Sequence, residues 1–162
     1  MKYYKSISGE IFAYEDDVSQ DEWISTSLVA MTPVEVDAHI NPKPTADEVK
    51  GIIARRRYTA EISGLQWNGF RIATDRDSQA KIDQADRAAM KGLRVDGDVW
   101  KCLDSSGAIV FRPTTNAEMS EIAAKVFTYV QACFAREGML VSVLADGTFT
   151  DAMLEEGWPA NE

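Results

Sequence analysis

Apolar positions change their spacing near residue 41. Before it they fall in short β-like runs, Lys2–Lys5 and Ile11–Glu15, parted by the Ser8-Gly9 turn signal. A hairpin of this size is marginal alone and needs a partner surface. Glu22–Ile24 and Leu28–Met31 read as additional edge strands. Thr32-Pro33 with Glu35 carries a capping-box pattern and predicts a short helix ending before Asn41-Pro42.

Beyond the Asn41-Pro42-Lys43-Pro44 linker the spacing becomes helical. Thr45 and Glu48 open a second helix, with Val49, Ile52, Ile53, Ala60 and Ile62 facing inward and Arg55, Arg56 and Arg57 on a solvated side. Ser63-Gly64 ends it. Trp67–Ile72 around Asn68-Gly69 suits a two-residue hairpin with a type I′ turn. A helix from Asp75 to about Lys91 follows, then a hairpin of Val99–Leu103 and Ala108–Arg112. A last long helix starts at Thr114–Asn116. Its stripe of Met119, Ile122, Val126, Tyr129 and Cys133 lies beside a second one of Ala123, Phe127, Val130 and Phe134. So wide an apolar face implies a central helix or one shared with another copy. Gly138 and Gly147 are its candidate breaks.

The expected fold class is α+β, a small N-terminal β-hairpin module joined by a Pro linker to a helical domain with two short hairpins. The boundaries are 1–41 for the module, 42–45 for the linker, 46–147 for the domain and 148–162 for an acidic tail. Composition agrees with a folded chain: 162 residues, 45% hydrophobic and 27% charged. The net charge of -9 argues against bulk nucleic-acid binding. It is uneven, running -6, +3 and -6 over residues 1–50, 51–92 and 93–162. Cys102 and Cys133 form no CxxC pair and read as buried thiols of a reducing compartment. No leader is evident after Lys2, and Met139–Ala145 is too short to span a bilayer, so no membrane contact is expected.

Candidate chemistry is sparse. His39, the one histidine, has no Ser, Cys or His near it in sequence, and no HExxH or CxxC motif supports a metal. Asp75-Arg76-Asp77-Ser78-Gln79 opens like a calcium loop, yet Ala80 stands where such a loop needs glycine; helix capping explains the same residues. Glu118 and Glu121 have glycosidase-like spacing, but acids are common in a first helical turn. No catalytic residue, cofactor or metal is therefore expected. The suggestive residues are aromatic: Tyr3, Tyr4, Phe12, Tyr14 and Trp23, too many for a small β module to bury alone, are the expected partner-binding set.

Two resemblances carry function. The stretch WNGFRIATDRDSQAKIDQA at Trp67–Ala85, then Val99-Trp100-Lys101, then Val130–Phe134 (VQACF), resembles over about residues 46–145 a domain of unknown function recurrent in tailed-phage and prophage proteins. The start, KYYKSISGEIFAYEDDVSQDEWI with MTPVEVDAHINP, is similar to the N-terminal segment of phage tail-fibre assembly proteins. It lacks the Gly- and Pro-rich middle segment usual in the better-known branch. The resemblance implies a non-catalytic chaperone or accessory that binds a tail-fibre protein in the host cytoplasm during phage assembly, or stays on the fibre. The alternatives are a structural tail or baseplate component and an envelope-polysaccharide hydrolase. The long C-terminal helix is the expected route to a homo-oligomer.

Overall fold

The structure, a computed structural model, describes residues 1–161. The chain is α+β and forms two compact units, Met1–Thr45 and Ala46 onward.

In the first unit β1 (Lys2–Lys5) lies between β2 (Ile11–Tyr14) and β3 (Val29–Ala30), all antiparallel. The turn between β1 and β2 is closed by Gly9, which donates its N–H to the Ser6 carbonyl at 3.0 Å with φ +89°. The segment expected as an edge strand at Glu22–Ile24 is not one. Asp17 accepts from the Ser19 amide at 3.1 Å and starts a 3-10 helix over Val18–Trp23. A local side-chain cap outcompetes strand pairing there. Helix α1 (Pro33–Ile40) begins at the expected capping box: Thr32 N–H donates to Glu35 Oε2 at 2.8 Å, and Glu35 N–H to Thr32 Oγ1 at 3.3 Å.

The second unit comprises α2 (Ala46–Glu61), β4 (Leu65–Trp67), β5 (Phe70–Ile72), α3 (Arg76–Met90), β6 (Val99–Leu103), β7 (Ile109–Pro113) and α4 (Asn116–Ala145). The strands make one antiparallel sheet in the order β4-β5-β6-β7. Asn68 (φ 48°) and Gly69 (φ 80°) form the tight turn of the first hairpin. Helices α2 and α3 both pack on α4. Its stripe Met119, Ile122, Val126, Tyr129 and Cys133 is buried throughout, and from Ile122 onward it joins Leu65, Trp67, Ile72 and Ile82 in the core. Of the second stripe, Val130 is buried while Phe127 and Phe134 are exposed. Gly138 does not break α4; the helix runs on to Ala145, and Gly147 with φ 73° follows its end.

Two sequence readings change here. Ile62 is exposed rather than inward, since α2 has ended at Glu61. Of the basic run only Arg55 is exposed, as expected of a solvated face; Arg56 and Arg57 are not. Arg57 has a side chain only 12% exposed, paired with Glu61 and with Glu137 at 3.0 Å and lying 4.6 Å from the Phe134 ring centre. Arg56 lies over the Trp158 ring at 5.4 Å and reaches Glu155 at 3.4 Å. The C-terminal segment is thereby held to this unit. Gln66 N–H also donates to the Asn161 carbonyl at 2.7 Å along the β4 edge, and Arg136 donates to the Met153 carbonyl at 2.8 Å.

Candidate functional site

The five aromatic candidates sort by strand alternation. Tyr4 stands directly opposite Phe12, and its ring meets Tyr14 edge-on at 5.7 Å between centres, so Tyr4, Phe12 and Tyr14 share one sheet face. Tyr3 is on the other face and meets the His39 ring of α1 edge-on at 5.9 Å. Trp23 ends the 3-10 helix, 65% exposed. The structure thus brings three of the five together, assigns Tyr3 to α1, and leaves Trp23 on the surface. Lys2 ties the 3-10 helix to the three-aromatic face by donating to Asp21 at 2.5 Å.

No residue of the first unit is buried. Its exposed apolar side chains include Ile7, Ile11, Val18, Val29, Val34 and Ile40 as well as Phe12 and Trp23, while Tyr3, Tyr4 and Tyr14 are half-buried. Sequence reasoning singled out only the aromatics; these aliphatic residues are exposed because a module this small supplies no interior. Ring contacts and polar side-chain pairs together hold the unit. Lys5 pairs with Glu35, joining β1 to α1, and this contact, with the two Thr32 hydrogen bonds, lowers the Glu35 carboxyl from 4.5 to about 2.

The other candidates have structural work. His39 is exposed at the end of α1. Glu118 closes the capping box of α4 with Thr115 and pairs with Arg112 at 2.5 Å; the Thr115 amide first, then the Arg112 guanidinium, hold its carboxyl below the usual range. Asp75 caps α3, accepting from Ser78 N–H at 3.1 Å and Ser78 Oγ at 2.6 Å. Thr74 is fully buried. Its hydroxyl donates to the Glu61 carbonyl and accepts from Gly64 N–H at 2.9 Å. Gln79 donates to Glu61 Oε1 at 3.1 Å and to the Thr74 carbonyl at 2.7 Å. The Thr74–Gln79 stretch is therefore a clamp between the end of α2 and the start of α3. Tyr129 completes it by donating to the Ala60 carbonyl at 2.6 Å.

Cys102 and Cys133 are free and buried, and burial pushes both thiols up from their ordinary value. Such thiols are poor nucleophiles. Among the described residues no three His, Cys, Asp or Glu side chains are grouped to hold a metal ion, and no helix is long and apolar enough to cross a membrane.

Comparison with known proteins returned no match among curated proteins or solved structures. Residues 45–155, which take in the clamp and the whole of the β4–β7 sheet, match the model of a domain of unknown function, DUF4376, and the chain belongs to that family.

Proposed function

We propose that this protein is a non-catalytic binding protein whose first unit presents the contact surface, with a phage tail-fibre protein as its partner. The observation that carries the binding role is the Tyr4–Phe12–Tyr14 face in a unit without a buried residue. Aromatic side chains on a small sheet, here Phe12 exposed and Tyr4 and Tyr14 half-buried, are the kind of anchor that dominates protein interfaces. They also give the unit an apolar surface that gains free energy by being covered. The nature of the partner rests on the likeness of Lys2–Ile24 and Met31–Pro42 to tail-fibre assembly proteins.

In this reading the fibre chain covers the aromatic face while it folds or trimerises, and the second unit is a stable platform. Co-expression tests it. The C-terminal region of a tail fibre encoded beside this protein is expected to become soluble and trimeric only when the protein is present, and to co-purify with it. A fibre that trimerises alone and never binds the protein refutes the proposal. Mass spectrometry of purified particles separates a transient chaperone, absent from the virion, from a retained tail component.

A further inference from the structure

We infer that the second unit carries a peptide-binding groove, on the open edge of β6, for an extended acidic and apolar segment of another protein. The inference is independent of the proposal for the first unit. It begins with hydrogen-bond parity. Thr114 N–H donates to the Asp98 carbonyl at 3.1 Å and Asp104 N–H to the Ala108 carbonyl at 2.9 Å. Paired positions alternate along an antiparallel ladder, so the backbone groups of Trp100 and Cys102 also point to β7. Those of Val99, Lys101 and Leu103 point the other way. Of these only Leu103 has a strand partner, Arg71 of β5. The chain leaves the sheet after Ile72 to enter α3, and the edge of β6 at Val99 and Lys101 has no strand beside it.

That edge borders a groove of about 610 Å³ between β6 and the first turns of α3. Trp100, Cys102 and Ile82 line its inner side, and Phe111, 68% exposed, stands on its outer side with Val99 and Ile109. Lys81 and Lys101 both line it, and neither makes an ion pair among the described residues. Asp75, the one acid lining it, is committed to Ser78. The groove is thus apolar with a cationic rim, on a chain of net charge -9.

Strand addition fits each of these features. A segment lying antiparallel to β6 exchanges hydrogen bonds with Val99 and Lys101. Its residue paired with Lys101 places its side chain beside that ammonium, and a carboxylate is favoured there. The neighbouring residues turn inward to Trp100, Cys102 and Ile82, and apolar side chains are favoured. A second copy of this chain fits less well, because its own edge strand β7, Ile109–Pro113, carries no carboxylate and one arginine.

The test uses the full chain and a fluorescein-labelled octapeptide of alternating valine and glutamate, blocked at both ends, followed by anisotropy. Saturable binding is expected with Kd below ~1 mM. Lys81→Glu with Lys101→Glu is expected to weaken it by about tenfold or more, and Lys125→Glu to leave it unchanged. The same peptide N-methylated at its glutamate amides is expected to lose binding, whereas methylation at its valine amides is tolerated. No binding, binding indifferent to the lysine reversals, or equal effects of the two methylation patterns overturns the inference. So does a dimer of the protein alone that Lys101→Glu dissociates, since the edge is then a self-association site.

Discussion

Replacing Thr74 by valine keeps the shape of a fully buried side chain and removes one hydroxyl. That hydroxyl serves two buried backbone groups, the Glu61 carbonyl and the Gly64 N–H. Each becomes an unsatisfied polar group costing about 1–3 kcal/mol. The added methyl returns about 0.8 kcal/mol. The net loss is about 1–5 kcal/mol, or roughly 4–20 °C in melting temperature for a domain of this size. Urea unfolding followed by tryptophan fluorescence reads it, because Trp67 is buried and Trp100 half-buried in the same unit. Thr74→Ser keeps the hydroxyl and is expected within about 1 kcal/mol of the parent, the cost of one small methyl. If Thr74→Val is as stable as the parent, the clamp contributes nothing and the Thr74–Gln79 stretch needs another explanation.

Three further outcomes follow from the geometry. Glu35 has its carboxyl lowered from 4.5 to about 2, so its pairing with Lys5 supports the first unit fully above the ordinary carboxylate value and is lost as pH falls toward 2. NMR titration of that carboxyl, with the Tyr3–His39 ring contact as reporter, is expected to show this, and a midpoint near 4.5 contradicts it. Gly64→Ala is expected to destabilise more than Gly69→Ala in urea unfolding. Both have φ near +80°, yet a Cβ at Gly64 lies 2.9 Å from Arg71 Nε and 3.0 Å from the Ile72 carbonyl, while Gly69 has open space. Labelling of Cys102 and Cys133 by an aromatic disulfide is expected to follow global unfolding, and a thiol that reacts at once in the native protein contradicts their burial.

The parts of the fold written in local chemistry were legible in the sequence. Thr32 with Glu35 is a capping box within three residues, the cap read at Thr114–Asn116 is Thr115, and Asn68-Gly69 specifies its own turn. What escaped depends on distant partners. Arg57 meets Glu137 eighty positions along the chain, and Tyr129 reaches Ala60 across sixty-nine. Nothing in the run Arg55–Arg57 marks which arginine turns inward. The C-terminal segment showed only its charge, while its attachment depends on Arg56, Arg136 and Gln66 from three other elements. For the aromatic set the residue types were readable, and strand alternation separates Tyr3 from Tyr4 once β1 is fixed. The position of Trp23 was not, because the Asp17 cap turns a presumed strand into a 3-10 helix.

The most direct test of the central claim is calorimetric titration of a tail-fibre C-terminal region with the protein and with its Phe12→Ser, Tyr14→Ser double variant. Both altered residues lie on the Tyr4 face, away from the Lys5–Glu35 pair and the Tyr3–His39 contact that join β1 to α1, and the second unit is left intact. The account predicts a saturable complex with the parent and a loss of about 2 kcal/mol or more, roughly 30-fold in Kd, with the variant. Equal binding by the two proteins, or none by the parent, contradicts it.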